Sequence, residues 1–294
     1  MYPAPFEYHR PATLDEVFAL IAEHGDAVKL VAGGMSLIPS MKVRMIRPDH
    51  LVDLSAIEAM KGVSVDGDIL RVGAMTTHWQ VASSPVVARH VPLLGAVASV
   101  IADQQVRNRG TMGGSLCNND PNADYPAAIL ALDASLRCAG PDGERIVKAD
   151  DWILGIFTTD LAEGEVLQDI SYPVQPPHVR SAYLKLRHPA SRFAVVGVAV
   201  VLDADDSGIC RSLRIGITGA GSNAVRAFAV EDALTGETLT AAGIAAACEQ
   251  ACEGLDINKD IHFTAEDRRE LCRNSVERAI NAAWRADCGT AALI

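Results

Sequence analysis

The segment RNRGTMGGSLCNNDPNADYPA, Arg107 to Ala127, lies between the apolar run VPLLGAVASVIA and the apolar run AILALDASL. Its glycine, asparagine, aspartate and proline content is loop chemistry. A structureless connection of about twenty residues is uncommon inside a compact domain unless it binds something. A fold for this chain therefore has to accommodate a long, glycine-bearing loop, and the first reading is that the loop holds something. A second reading stays open: Asn118, Asn119 and Asp120 can stabilise an Asx-rich loop through their own side chains, with no ligand.

Around that loop stand 294 residues, 49% of them hydrophobic, which suits about two domains and a sizeable core. The formal net charge of −11 and the lack of basic clusters with interleaved aromatics exclude nucleic acid or an anionic membrane surface as the main partner. The start, MYPAPFEYHR, has no positive n-region leading into an apolar run, so no signal peptide is expected. VPLLGAVASVIA and FAVVGVAVVL are too short to span a bilayer, and the expected location is the cytoplasm. Seven scattered cysteines form no disulfide framework, no C-x-x-C and no C-x4-C-x2-C iron–sulfur run. Cys248 and Cys252, four apart on a predicted helix, read as small buried thiols. The eight histidines are scattered too, and no metal is expected in this chain.

TLDEVFALIAEHG reads as a helix, with Thr13 and Glu16 as a capping-box pair and Gly25 as its stop. VKLVA is a short β run, HLVDLS and ILRVGAMTT are strand candidates, and PVVARHVPLLGAVASVIA is predicted helical. After the long loop, PAAILALDASLRC passes from helix to strand, AGPDGE turns, and EVLQDISYPV is a strand. The proline-dense PVQPPHV, Pro173 to Val179, marks a domain boundary. Beyond it SAYLKLR, AVVGVAVVLDA and SLRIGITGA suggest an antiparallel set, followed by the helices AAGIAAACEQACEGL and EDRRELCRNSVERAINAAWRA. The coarse pattern is α+β.

Three glycine stretches could bind phosphate. IGITGAGSNAV contains a G-x-G-x-x-A string, but no second apolar strand follows, so it reads as a turn rather than a dinucleotide fingerprint. In VKLVAGGMSLIP a β run ends at Gly33-Gly34, where backbone N–H groups could approach an anion; strand–Gly-Gly–turn is also ordinary punctuation. In the long loop, Thr111, the Gly113-Gly114 pair and Ser115 could face the other side of the same pyrophosphate, with Asp124 accepting from the ligand. Two such loops about eighty residues apart make a shared dinucleotide plausible, without choosing which one.

KLVAGGMSLIPSMKVR, the long loop itself and YLKLRHPASRFAVVGVAV together resemble the FAD-binding medium subunit of the molybdenum hydroxylases, the carbon monoxide dehydrogenase / xanthine dehydrogenase family. The resemblance covers essentially the whole chain. It implies an α+β fold: a vanillyl-alcohol-oxidase-type (PCMH) FAD-binding domain over 1–176, with subdomains of about 1–57 and 58–176. A C-terminal domain, 177–294, would hold a three-stranded antiparallel sheet with a helical bundle. By matching position, Lys29, Leu30, Val31, Ala32, Gly33, Gly34, Met35 and Ser36 would form the first phosphate loop, and Ile101 and Ala102 would border the flavin. Gly110, Thr111, Gly114, Ser115, Cys117 and Asn118 would form the second loop, with Asp124 behind it. Lys185 would approach the cofactor from the C-terminal domain, where it would favour a reduced, anionic ring; without the resemblance it reads as a solvated strand residue. N–H nests would neutralise the pyrophosphate without needing arginines. Met35 departs from the polar residue many relatives carry, and Phe193 from a ring-side tyrosine; a phenyl ring shields but cannot hydrogen-bond. Arg107 and Arg109 either position the loop, face a partner or are ordinary surface arginines.

The resemblance further implies partners: a large subunit with a molybdopterin cofactor and a small subunit with two [2Fe–2S] clusters, in a dimer of heterotrimers. This chain would carry electrons on FAD to a quinone, NAD, O2 or another acceptor, with no acid–base triad of its own. Two other readings are a stand-alone FAD-dependent oxidoreductase of the same fold and an assembly protein that has lost its flavin. The intact glycine pairs argue against the last.

Overall fold

The computed structural model describes residues 2–289 and 291–293, the last three by their backbone. The chain opens with β1 (Glu7–His9), α1 (Leu14–His24), β2 (Val28–Val31), α2 (Leu37–Lys42) and β3 (His50–Asp53). These strands form a parallel sheet in the order β1-β3-β2. Thr13 caps α1 by accepting from the Glu16 N–H, while the Glu16 carboxylate reaches back to the Ala12 N–H, one residue beyond the expected box.

The next unit begins with the hairpin β4 (Val63–Asp66) and β5 (Ile69–Gly73). Short helices follow: α3 (His78–Ser83), α4 (Pro85–His90), α5 (Pro92–Ser99), α6 (Gln104–Arg107), α7 (Met112–Asn118) and α8 (Asp124–Ala131). Then come β6 (Ser135–Gly140), β7 (Gly143–Lys148), α9 (Ala149–Trp152), a small hairpin of β8 (Ile153–Gly155) and β9 (Thr158–Thr159), and β10 (Val166–Pro173). The antiparallel sheet runs β4-β5-β10-β6-β7. The helix expected over PVVARHVPLLGAVASVIA is two helices, because Pro92 lacks the N–H that would continue the first and instead opens the second.

The long loop is not structureless. Much of it is short helix, because its polar residues act as caps. Within it Thr111 accepts from the Gly114 N–H, as Asp103 just ahead of it accepts from the Val106 N–H. Asn119, left-handed at φ 43°, ends α7 and donates its side-chain amide to the carbonyls of Gly155 and Thr158.

The last unit comprises β11 (Arg180–Arg187), β12 (Ala194–Ala204), β13 (Cys210–Thr218), β14 (Val225–Arg226), α10 (Phe228–Leu234), α11 (Ala241–Cys248), α12 (Ala265–Arg285) and β15 (Ala291–Leu293). Strand order is β14-β13-β12-β11-β15. The implied three-stranded antiparallel sheet is thus the centre of five strands, with β15 added parallel to β11. The segment after β13 leads into β14, antiparallel to it, so the G-x-G-x-x-A string is a turn.

Residues 194–200 of β12 are all buried, with α12 packed on the sheet and α8 also in contact with β12 and β13. Every residue of α8 is buried. At Gly216 a side chain would place its Cβ 2.0 Å from the Ala127 carbonyl oxygen, so α8 sits directly on the β13 backbone. Gly216→Ala is expected to cost about 1–3 kcal/mol by overpacking this joint. A lowered urea midpoint of the full-length chain checks it; an unchanged midpoint would mean α8 is not seated there.

Candidate functional site

Strand β2 delivers the chain into Ala32, Gly33, Gly34 and Met35, and α2 follows. A Cβ on Gly33 would lie 2.2 Å from the Arg109 carbonyl oxygen and 2.7 Å from the Gly110 Cα. A Cβ on Gly114 would lie 2.8 Å from the Thr111 Oγ1 and 3.3 Å from the Ala32 Cβ. The two glycine loops, distant in sequence, are therefore in contact, and glycine stands where their backbones meet.

Beside the first loop opens a cavity of about 300 Å³ lined by Val31 to Met35, Ile38, Tyr8, Asp53, Lys42 and Arg109 among others. Gly34 holds φ +74° at its edge. Among the described residues, no protein acceptor takes the N–H groups of Gly33, Gly34, Met35 or Ser36. A row of unengaged N–H donors with one lysine and one arginine suits a multiply charged anion. The cations are an addition: sequence reasoning left neutralisation to the backbone alone. Lys29 and Ser36 are exposed, and Leu30 packs toward the core; none of the three lines the cavity.

The second loop spends its donors internally. The Met112 N–H bonds the Thr76 carbonyl, the Gly113 N–H the Ala74 carbonyl, and the Gly114 N–H the Thr111 hydroxyl oxygen. The Thr111 N–H and the Ser115 hydroxyl remain without a protein partner among the described residues. Gly113 presses on Ala74, where a Cβ would come within 2.5 Å of the alanine Cβ. Cys117 packs against the core, and burial pushes its thiol up to about 12, so it is neutral. Asn118 closes α7, while the adjacent Asn119 makes the tertiary hydrogen bonds.

Gly110 lies against His78, whose Nε2 would be 2.6 Å from a Cβ at that glycine. The His78 ring is buried, tilted against Tyr125 at 5.3 Å, and its Nδ1 has no partner among the described residues. Burial, and then Arg107, depress its pKa to about 4. An isolated histidine at the start of a helix gives no sequence sign of this position.

Four of the other predicted residues, Ile101, Ala102, Asp124 and Lys185, gather at a second cluster, and Phe193 lies apart from them. Ala102 is held at φ +44°, a strained backbone for a residue with a Cβ. Arg107 Nη1 clamps this turn, donating to the Ile101 carbonyl at 2.8 Å and the Ala102 carbonyl at 3.2 Å. One residue earlier, the Val100 carbonyl accepts from Lys185 Nζ at 3.2 Å. Lys185 also donates to Asp124 Oδ2 at 2.7 Å, and the Tyr183 hydroxyl donates to Asp124 Oδ1 at 2.6 Å. Burial is the strongest influence on Asp124 and raises its pKa, against the pull of Lys185 and Tyr183. Both carboxylate oxygens are engaged, so Asp124 positions Lys185, which keeps one of its three N–H donors. Phe193 is 43% exposed on the β11–β12 turn, lining a cavity of about 120 Å³ with Asn122, His188, Ser191 and Arg268.

Residues 4–175 match the family described as FAD binding domain in molybdopterin dehydrogenase, and residues 181–283 match CO dehydrogenase flavoprotein C-terminal domain. The chain is 37% identical to the carbon monoxide dehydrogenase medium chain of Hydrogenophaga pseudoflava, over 97% of this chain and 99% of that one. It is 34% identical to caffeine dehydrogenase subunit beta of Pseudomonas sp. strain CBB1, over 95% of each. A solved carbon monoxide dehydrogenase from Hydrogenophaga pseudoflava superposes with a TM-score of 0.94 at 39% identity, covering 98% of this chain and 100% of that one. Quinoline 2-oxidoreductase from Pseudomonas putida 86 gives 0.90 at 35% identity, covering 96% and 98%.

The His78 environment fixes an acid response. Its folded pKa lies below the ordinary histidine value, so its contribution to stability is complete above about pH 6.5 and is lost as pH falls toward about 4. The loss is on the order of 3 kcal/mol. Urea unfolding at about pH 7 and about pH 4.5 should show a shallower acid decline in His78→Gln than in the parent. Parallel declines would refute the buried neutral imidazole.

Proposed function

The chain belongs to the FAD-binding medium subunits of the molybdenum hydroxylases, and on that premise we propose that it is the flavin-carrying electron-transfer subunit of a multi-subunit dehydrogenase. It takes electrons from [2Fe–2S] clusters of a small partner subunit and passes them to an external acceptor such as a quinone, NAD or O2. A large partner subunit with a molybdopterin cofactor performs the hydroxylation, and the assembly is a dimer of heterotrimers in the cytoplasm. Among the described residues, no helix is long and apolar enough to cross a membrane.

The observation that carries this reading is the contact between the two glycine loops beside unengaged N–H donors, Arg109 and Lys42. Those groups fit the pyrophosphate of FAD. The Gly33 to Ser36 N–H groups would hold its oxygens, and Arg109 and Lys42 would offset its charge. The Ile101–Ala102 turn, fixed by Arg107, would border the ring, and Lys185, oriented by Asp124, would bring a positive charge and a free donor to it. Phe193 would shield without hydrogen-bonding. When bound, FAD supplies a two-electron store between one-electron and two-electron partners.

Two of the relatives named above are subunits of dehydrogenases named for carbon monoxide and caffeine, at 37% and 34% identity. Similar identity to subunits of such different dehydrogenases supports a chain that does not select the substrate.

The purified full-length chain should show flavin absorbance at about one FAD per chain. Gly33→Ala and Gly114→Val should each abolish it while far-UV circular dichroism is retained. Stoichiometric FAD in both variants would sink the assignment. The native, untagged complex should contain molybdenum and iron with co-purifying subunits; turnover by an isolated chain lacking both metals would instead support a stand-alone flavoenzyme.

A further inference from the structure

Away from the glycine loops, three histidines that are remote in sequence converge on one face of the first sheet. His9 ends β1, His50 begins β3 and His24 is the last residue of α1. The parallel register pairs Glu7 with His50 and His9 with Val52, so His9 and His50 are diagonal neighbours on the same face. Helix α1 brings His24 to them from its C-terminus.

His9 Nε2 and His50 Nδ1 are 3.0 Å apart. The His24 and His50 rings stack with centroids 3.8 Å apart and planes 9° from parallel. One ring nitrogen from each residue lies within 4.8 Å of the other two. A Glu7 carboxylate oxygen stands 3.6 Å from His50 Nδ1. The side chains of His24 and His50 are 22% and 16% exposed, which leaves the cluster partly desolvated yet open to an ion.

We propose that His9, His24 and His50 form a binding site for a divalent transition-metal ion of the zinc type, completed by Glu7 or water. Zinc–nitrogen bonds of about 2.0–2.1 Å place tetrahedral ligand nitrogens roughly 3.3 Å apart, so the His9–His50 pair is already near that spacing. Rotation of the His24 ring out of its stack closes the third distance. Imidazole with a single carboxylate selects zinc and its neighbours cobalt, nickel and copper over magnesium or calcium. The ion ties β1, α1 and β3 together, and β3 is the central strand against which β2 enters the first glycine loop. It braces that loop's scaffold and takes no part in electron transfer. The site does not depend on the flavin assignment.

The untagged full-length chain, stripped with a chelator, should bind one zinc ion per chain in competition with a chromophoric indicator. Cobalt should give the visible absorption of a nitrogen- and oxygen-ligated four-coordinate site, without a thiolate charge-transfer band. His9→Gln, His24→Gln and His50→Gln should each weaken zinc binding by about a hundredfold or more, while His178→Gln leaves it unchanged. Absence of stoichiometric binding, or binding unaffected by the three substitutions, overturns the proposal and leaves the imidazoles as a packing stack. Should the variants fail to fold, the parent's cobalt spectrum decides, because a thiolate band would place the ion on cysteines.

Discussion

The ion pair between Lys185 and Asp124 joins three segments that must keep a fixed relation. Lys185 comes from β11, Asp124 opens α8, and the Val100 carbonyl that Lys185 also bonds sits beside the strained Ile101–Ala102 turn. Both charged side chains are almost wholly buried. Removing one partner of such a pair costs roughly 3–5 kcal/mol, because the other is left as an uncompensated buried charge. That penalty couples the two partners strongly. Arg107 clamps the turn from outside and Lys185 holds its approach from within, so the segment proposed to border the flavin has little freedom to drift.

Most of the thiols are chemically quiet, Cys252 excepted, whose pKa is lowered first by its hydrogen bond with Cys272. Burial pushes the thiols of Cys117, Cys138 and Cys248 up to about 12 and that of Cys210 to about 11, which keeps them neutral and unreactive. His78 is neutral for the opposite reason, its cationic form being excluded by burial. None of these neutral groups is poised as an acid or base near neutral pH. The residues of the candidate site hold shape and place fixed charge, which suits the electron-carrying role proposed above.

What could be read in the sequence was whatever rests on local pattern. The strand leading into Gly33-Gly34, the Thr13 cap and the antiparallel run from β11 to β13 all follow from short-range signals. The long loop misled because cap residues and loop residues are the same amino acids: Thr111 starts a helix here and Asn119 stops it. Partnerships made by the fold were invisible. Asp124 looked like a ligand group, yet both its oxygens are engaged by Tyr183 and Lys185. Arg109 and Lys42 come to line one cavity only in three dimensions, and the three histidines converge in the same way. The glycines were found for a reason that proved incomplete, since Gly33 is needed first for the approach of Arg109 and Gly110.

Helix α8 has no face toward solvent. One of the large apolar cores takes in α8 together with Tyr183 and Ala199 of the C-terminal sheet, across the proline-rich segment that divides the chain by composition. A cut at that segment would strand a fully buried helix, and the carboxylate at its start, without the strands they pack against. The compositional boundary, where the two matched family domains also part, is therefore not a gap in the packing: the interior runs through it, and the two halves share a wall.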